Sequence, residues 1–444
     1  MKRNADVVIV GSGVAGLYCA LNLPRDKKII VVTKADIKSS DSYLAQGGIS
    51  VLKDDEDFEC YFEDTMKAGH YENTKESVEV MIRSSREVIN DLISIGVEFN
   101  KKDGKLQYTR EGAHRVPRIL YHKDVTGKEI TRKLINKVRQ LDNVTLIEHF
   151  TMLDILTKDN VCYGILGAEE GRGIGVIEAK FTVFACGGIG GIFDNTTNYP
   201  HLTGDALAIA LKQNIETEHI NYIQIHPTTL YTMEPGRRFL ISESVRGEGA
   251  HLYNAKMERF VDELLPRDVL SEKIKMQMQI DGRPYVWLSM KEMDPDEIMG
   301  HFPNIYKQCL EEGYDVTKEC IPVVPSQHYF MGGIKVDINS KTSMQCLYAV
   351  GEISCNGVHG KNRLASNSLL ESLVFSKRAA IDIMGEYKKE EFLNLKYMED
   401  VESQHHSIGK DLINLIDYDV YENVDKLLSS YKNMILAEIE KESI

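Results

Sequence analysis

"DVVIVGSGVAGLYCAL", residues 6–21, decides how the rest of the chain is read. Four aliphatic residues follow Asp6 without polar alternation, the pattern of a short strand buried on both faces. The run ends on Gly11, Gly13 and Gly16, the G-x-G-x-x-G spacing, with Ser12 and Ala15 inside the turn. Helical periodicity follows until Pro24 stops it. Strand, glycine turn and helix in this order make a pyrophosphate site. The glycines admit close backbone approach, and unpaired N–H groups at the helix start favour negative charge. "KKIIVVTKAD" (27–36) supplies a second strand and opens a doubly wound parallel sheet.

The acidic residue that would hold a ribose at the end of that second strand is absent; Thr33-Lys34 stands there. This favours FAD over NAD. A flavin also needs backbone donors, and further glycine turns offer them: "AQGGIS" (Gln46, Gly47, Gly48), "ACGGIGG" (Ala185, Gly187, Gly188) and "TGDALA" (Gly204, Asp205). Lys34, Ser40 and Glu352, the last ending the buried run "CLYAVGE", join the cofactor candidates. In "SNSLLES", Ser368 and Glu371 have the S-x-x-E spacing of a capping box, which predicts a helix start there. Ser368 and Leu369 would then present that helix N-terminus to the flavin, stabilising charge that builds on reduction.

The 444 residues, 43% hydrophobic and 27% charged, imply a globular protein of two or three domains. The net charge of −14 argues against nonspecific nucleic-acid binding. No apolar run is long enough to span a bilayer, and the apolar start is too short for a signal peptide. A cytoplasmic protein without membrane contact is expected. Eight scattered cysteines with no C-x-x-C pair predict neither zinc nor disulfides, and no metal.

Helices are expected over 76–96, 127–140 and 368–387. A meander is expected over 144–170, turning at "KDN". From 221 to 330 the pattern becomes less periodic and rich in His and Pro. The predicted fold is therefore α/β, a Rossmann-like FAD-binding domain (1–220 and 331–387). An α+β capping domain (221–330) is inserted in it, and a short helical tail (388–444) follows.

Taken together, "LAQGGI", "TREGAHRVPRIL", "QIHPTTL", "FLISESVRGEGA", "LLPRDVLSE", "SQHYFMGGIKVD" and "HGKNRLASNSLLES" follow the glycine turn in a fixed order. In these stretches the chain resembles the fumarate reductase/succinate dehydrogenase flavoprotein superfamily, and within it the branch that oxidises L-aspartate. The resemblance spans residues 6 to about 385. Respiratory members carry a histidine before the "AQGG" turn that bonds FAD covalently; Asp41 stands at that place here, which implies non-covalent FAD. Glu111 lies where the aspartate-oxidising branch has a glutamate and succinate dehydrogenases a glutamine, and an acid suits a substrate bearing ammonium. Lys361 replaces the usual small residue, and the tail is shorter than the family's helical C-terminal domain.

The resemblance implies oxidation of L-aspartate to iminosuccinate, with hydride passing from Cα to the flavin. Arg363, with His328, would grip one carboxylate, and His226 with Ser242 the other. Arg267 matches the arginine that moves a proton at the reacting carbon, although Glu111 or water could also accept the amine proton. Gly332-Gly333 would let backbone pass close to the flavin ring. Oxygen or fumarate would reoxidise the flavin, and the labile product would pass to quinolinate synthase in a loose partnership. The alternatives are a soluble fumarate reductase or succinate dehydrogenase flavoprotein, and a flavin-binding module without turnover. The intact set Arg267, His328 and Arg363 counts against the latter.

Overall fold

The computed structural model describes residues 2–234, 236–394 and 423–443. Strand Lys2–Val10 lies inside a seven-stranded sheet, parallel to Ile29–Val32 on one side and to Gly173–Phe184 on the other. Because successive strand side chains point to opposite faces, Val7 and Ile9 enter one apolar core and Val8 and Val10 another. Helices Val14–Asn22, Lys75–Ser94, Thr126–Val138 and Asn367–Asn394 cover the first core; Asp205–Lys212 covers the second. This is the doubly wound arrangement that the opening stretch predicts. At the end of the first strand Gly11 takes φ +121°, and a Cβ there would lie 2.0 Å from the Ala185 carbonyl oxygen. Only glycine turns the chain so close to the neighbouring strand.

Two local expectations need correction. Of the meander expected over 144–170, only Phe150–Lys158 and Val161–Glu169 pair antiparallel, and Gly173–Phe184, beyond that range, continues it. Val144–Ile147 instead runs parallel to Ile29–Val32 at the far edge of the sheet. Helix Thr126–Val138 precedes it, so it arrives as the second strand of a crossover unit and not as part of a hairpin. The capping box does not form either. Helix Asn367–Asn394 starts one residue before Ser368, which puts Ser368 in its first turn, and Glu371 bonds Asn356 and Ser372.

A second, six-stranded sheet pairs Ile321–Phe330 with Ile223–Leu230 and Val286–Ser289. It has its own apolar cluster, from Leu230 to Val323, shared with helices Arg267–Asp281, Pro295–His301 and Pro303–Glu311. Of the expected helical tail, residues 395–422 lie outside the described residues. Val424–Glu442 is helical and buries Tyr431 and Ile435 against Asp205–Lys212, with the Tyr431 hydroxyl donating to the Leu153 carbonyl.

Candidate active site

A cavity of about 450 Å³ runs from the glycine turn to the face of the second sheet. Of the residues singled out in the sequence, Gly11, Ser12, Gly13, Ala15, Lys34, Ser40, Gln46, Gly47, Gly48, Ala185, Gly187 and Asp205 border it. So do Glu352, Ser368, Leu369, Glu111, His226, Ser242, Arg267, His328 and Arg363. Gly16 and Gly188 do not. A Cβ on Gly16 would sit 2.1 Å from the Gly11 carbonyl oxygen, so this glycine packs helix on strand, while Gly188 packs against Glu352. Gly332 and Gly333 also lie away from the cavity. Their missing side chains admit the His219 and Ile353 carbonyls, not a ligand.

The glycine-turn end fits a flavin dinucleotide. Helix Val14–Asn22 has no side-chain cap from Gly13 and no acidic residue in its first turn; Ser42 Oγ takes the Val14 N–H at 3.2 Å, and the N–H groups of Ala15 and Gly16 are left for a ligand anion. Ser40 Oγ, Asp41 Oδ2 and Gln46 Oε1 are buried without hydrogen-bond partners among the described residues. Lys34 pairs with Asp205 at 2.7 Å and bonds Thr203 at 2.8 Å, fixing the start of helix Asp205–Lys212. Burial pushes Asp41 up to about 7. Burial, reinforced by Asp41, pushes Glu352 up to about 8.

At the other end the two antiparallel strands bring His226 and His328 into edge-to-face contact, with ring centroids 5.1 Å apart. Burial first, and then the Arg267 charge, drive both well below the usual histidine range, so both rings are neutral. His328 Nδ1 meets Thr197 Oγ1 at 2.6 Å. His226 is engaged by Thr228 at Nδ1, while its buried Nε2 has no partner among the described residues. Arg363 lies over the Tyr329 ring at 4.4 Å and donates to Ser368 Oγ at 3.0 Å, while its Nε has no partner among the described residues. Burial and then Arg267 bring Arg363 down to about 10, still a cation at neutral pH. Ser242 is the N-cap of helix Glu243–Gly247, its hydroxyl accepting from the Ser244 N–H.

Arg267 opens helix Arg267–Asp281 and is 8% exposed. Its Nε donates to Glu243 Oε2 at 2.7 Å and its NH1 to Gln224 Oε1 at 2.9 Å. Asp268 is no partner for it; that carboxylate takes His70 and Asn362 instead. Glu111 accepts from Ser244 Oγ at 2.9 Å and Ser366 Oγ at 2.6 Å. A Cβ on Gly47 would come within 2.6 Å of the Glu111 carboxylate, so the "AQGG" turn makes room for this acid as well as bordering the cavity. Burial, and then the neighbouring Glu243, push Glu111 above the ordinary carboxylate range.

Sequence reasoning missed Glu243, Gln224 and Arg246, although all three lie within or beside quoted motifs. Burial works to raise Glu243, but Arg267 and Arg246 outweigh it and hold the carboxylate ionised. It also missed a buried cluster behind Glu111. The Arg118 guanidinium grips Asp57 with two nitrogens and Asp64 with a third bond, and donates to His114 Nδ1 at 2.9 Å. Arginine can only donate, so the His114 proton sits on Nε2, facing the Ala365 carbonyl at 3.0 Å. Burial brings His114 down to about 4, in keeping with that neutral form. The i, i+4 spacing of His114 and Arg118 is the one local signal for this pair.

A family model described as an FAD binding domain matches residues 6–369. The L-aspartate oxidase of Clostridium perfringens is 52% identical over 384 residues, covering 86% of this chain and 87% of that protein. The enzyme of the same name from Clostridium acetobutylicum is 51% identical over 387 residues, covering 86% and 88%. Among solved structures, a mutant of E. coli quinol fumarate reductase matches with a TM-score of 0.83. It is 27% identical, over 99% of this chain and 83% of that one. A cavity joining the glycine turn to the paired histidines and arginines agrees with identity of this extent and with the family match: the chain belongs to the L-aspartate oxidase family of FAD-binding flavoproteins.

Proposed function

We propose that this protein oxidises L-aspartate to iminosuccinate, the first step of de novo NAD synthesis, with FAD held non-covalently in the cavity. The observation that carries the choice of substrate is Glu111, a buried acid on the cavity wall beside Arg267. A four-carbon diacid needs cations for its carboxylates, and only an amino diacid also needs an anion. Bound FAD supplies the acceptor for the hydride that leaves Cα.

The protein's own groups then do the following. Arg363 and His328 hold one carboxylate, and His226 with Ser242 holds the other. Neutral imidazoles donate hydrogen bonds without adding charge, so the arginines set the electrostatics. Fixing both ends of the substrate limits Cα to one orientation, a positioning effect that can lower a barrier by several kcal/mol. Glu111 faces the ammonium, and Arg267 moves the proton that the substrate nitrogen must lose, Cα itself losing only hydride, while Glu243 and Gln224 fix two of its nitrogens.

In this reading residues 221–330 form the cap, seated on the flavin-binding body of residues 1–220 and 331–387. With FAD bound in the cavity, fumarate or oxygen would serve as the electron acceptor. The product is labile, which suits a loose hand-over to quinolinate synthase. No helix among the described residues is long and apolar enough to cross a membrane, in keeping with a cytoplasmic location. Anaerobic mixing with L-aspartate should bleach the yellow absorbance, while succinate should do so poorly. Bleaching by succinate alone would move the assignment to a soluble fumarate reductase or succinate dehydrogenase.

A further inference from the structure

Gln224 does not border the cavity, yet it touches the segments that carry both active-site arginines. It is 2% exposed and lies on the same strand as His226. Its Oε1 accepts from Arg267 NH1 at 2.9 Å. Its Nε2 donates to the Arg363 carbonyl oxygen at 2.8 Å and to Asn362 Oδ1 at 2.8 Å. Asn362 Nδ2 in turn donates to Asp268 Oδ1 at 3.2 Å, and Asp268 adjoins Arg267 in the chain. The result is a closed ring through Arg267, Gln224, Asn362 and Asp268.

The polarity of this ring is fixed from one end. A guanidinium has no acceptor, so the Gln224 atom facing Arg267 must be oxygen. The amide nitrogen then faces two acceptors, the Arg363 carbonyl and Asn362 Oδ1, and Asn362 is left to donate to the carboxylate of Asp268. A side chain at 224 must therefore accept on one side and donate on the other. Glutamine does both at this length; glutamate only accepts, and methionine does neither.

We infer that Gln224 is a positioning residue, which through this ring sets the Arg267 guanidinium relative to the Arg363 segment across the boundary of the two sheets. The inference rests on the proposed role of Arg267. Without Gln224, Arg267 keeps only Glu243 and can swing about that single bond. Arg363 remains held by Ser368 and Tyr329. Turnover should therefore suffer more than substrate grip.

The test compares the flavin-loaded enzyme with Gln224→Met and Gln224→Glu, and with Arg267→Leu as a reference. The readouts are kcat for L-aspartate, the dissociation constant for malonate, and bound flavin. Gln224→Met should lower kcat about 10- to 100-fold, the scale of a lost buried hydrogen bond to a charged group. Malonate affinity should stay within about threefold, because Arg363 keeps its other supports. Gln224→Glu, which restores the acceptor for Arg267, should recover part of kcat. Equal losses of kcat and malonate affinity in Gln224→Met, or no recovery in Gln224→Glu, would overturn the inference. If Gln224→Met does not retain flavin, a Gln224→Glu variant no faster than Arg267→Leu would overturn it equally. Wild-type turnover in Arg267→Leu would sink the role of Arg267 itself, whereas an inactive Arg267→Leu beside a fully active Gln224→Met would sink only the role of Gln224.

Discussion

Replacing Glu111 by glutamine separates the amino-acid reading from its diacid rival. The carboxylate is enclosed by the hydroxyls of Ser244 and Ser366, and each can rotate to accept from an amide N–H as readily as donate to an oxygen. Glutamine therefore keeps the shape and the hydrogen bonds, and only the charge is lost. A buried charge-assisted hydrogen bond to an ammonium is worth about 1.5–3 kcal/mol. At about 1.4 kcal/mol per decade, kcat/KM for L-aspartate should fall about 10- to 100-fold. Fumarate carries no ammonium, and loss of Glu111 also relieves its repulsion with Glu243, so fumarate reduction should hold or improve. The assay pairs aspartate oxidation with fumarate reduction by a reduced viologen dye, both normalised to bound flavin. Equal loss of both activities would refute the reasoning, because it would mean that Glu111 supports the site and does not read the substrate's nitrogen.

Other consequences follow from the same geometry. FAD should pass into the supernatant on acid precipitation, since Asp41 stands at the place of the covalent histidine; flavin remaining with the precipitated polypeptide would contradict this. Arg118→Met should destabilise the protein by about 3–5 kcal/mol in urea unfolding, because it strands Asp57 as a buried uncompensated charge and leaves Asp64 with Arg115 alone. A loss under about 1 kcal/mol would show that the cluster does not support the fold. The pH dependence has a definite sign. Burial and Glu243 raise Glu111, so it takes up a proton at a higher pH than an ordinary carboxylate. KM for L-aspartate should rise as pH falls through that range, a limb that Glu111→Gln lacks.

Much of this was legible in sequence because the relevant information is local. The strand, Gly11 and the helix start are neighbours in the chain, and their spacing alone specifies a backbone that can seat a pyrophosphate. His226, His328, Arg267 and Arg363 were found through motif stretches, not through chemistry visible in any one of them. What was not legible depends on partners far along the chain. Gln224 looks like any strand residue until Asn362 and Arg267 close around it. The Ser368–Glu371 capping box had the right spacing, but Asn356 takes the glutamate and the box stays open. Likewise, periodicity marked Val144–Ile147 as a strand without saying which edge it would join.

The balance of charge at the reacting end explains how one pocket could serve two substrates. Arg267, Arg363 and Arg246 bring three positive charges, and Glu243 and Glu111, when ionised, bring two negative ones. The histidines add none. These five groups, with Arg246 behind Glu243 and off the cavity wall, then sum to one positive charge, which matches L-aspartate with its two carboxylates and one ammonium. Once Glu111 takes up a proton, the pocket carries two, which matches fumarate. Burial and Glu243 raise the affinity of Glu111 for its proton, so a smaller electrostatic difference separates its two forms than for an ordinary carboxylate, and an arriving ligand bears on that difference. An ammonium beside Glu111 drives the proton off, while a second uncompensated carboxylate keeps it on. Glu243 is excluded from this exchange, because Arg267 and Arg246 hold it ionised throughout. If Glu111 reads the substrate's nitrogen as proposed, its raised proton affinity is what lets a second buried acid stand beside Glu243 in a chain of net charge −14.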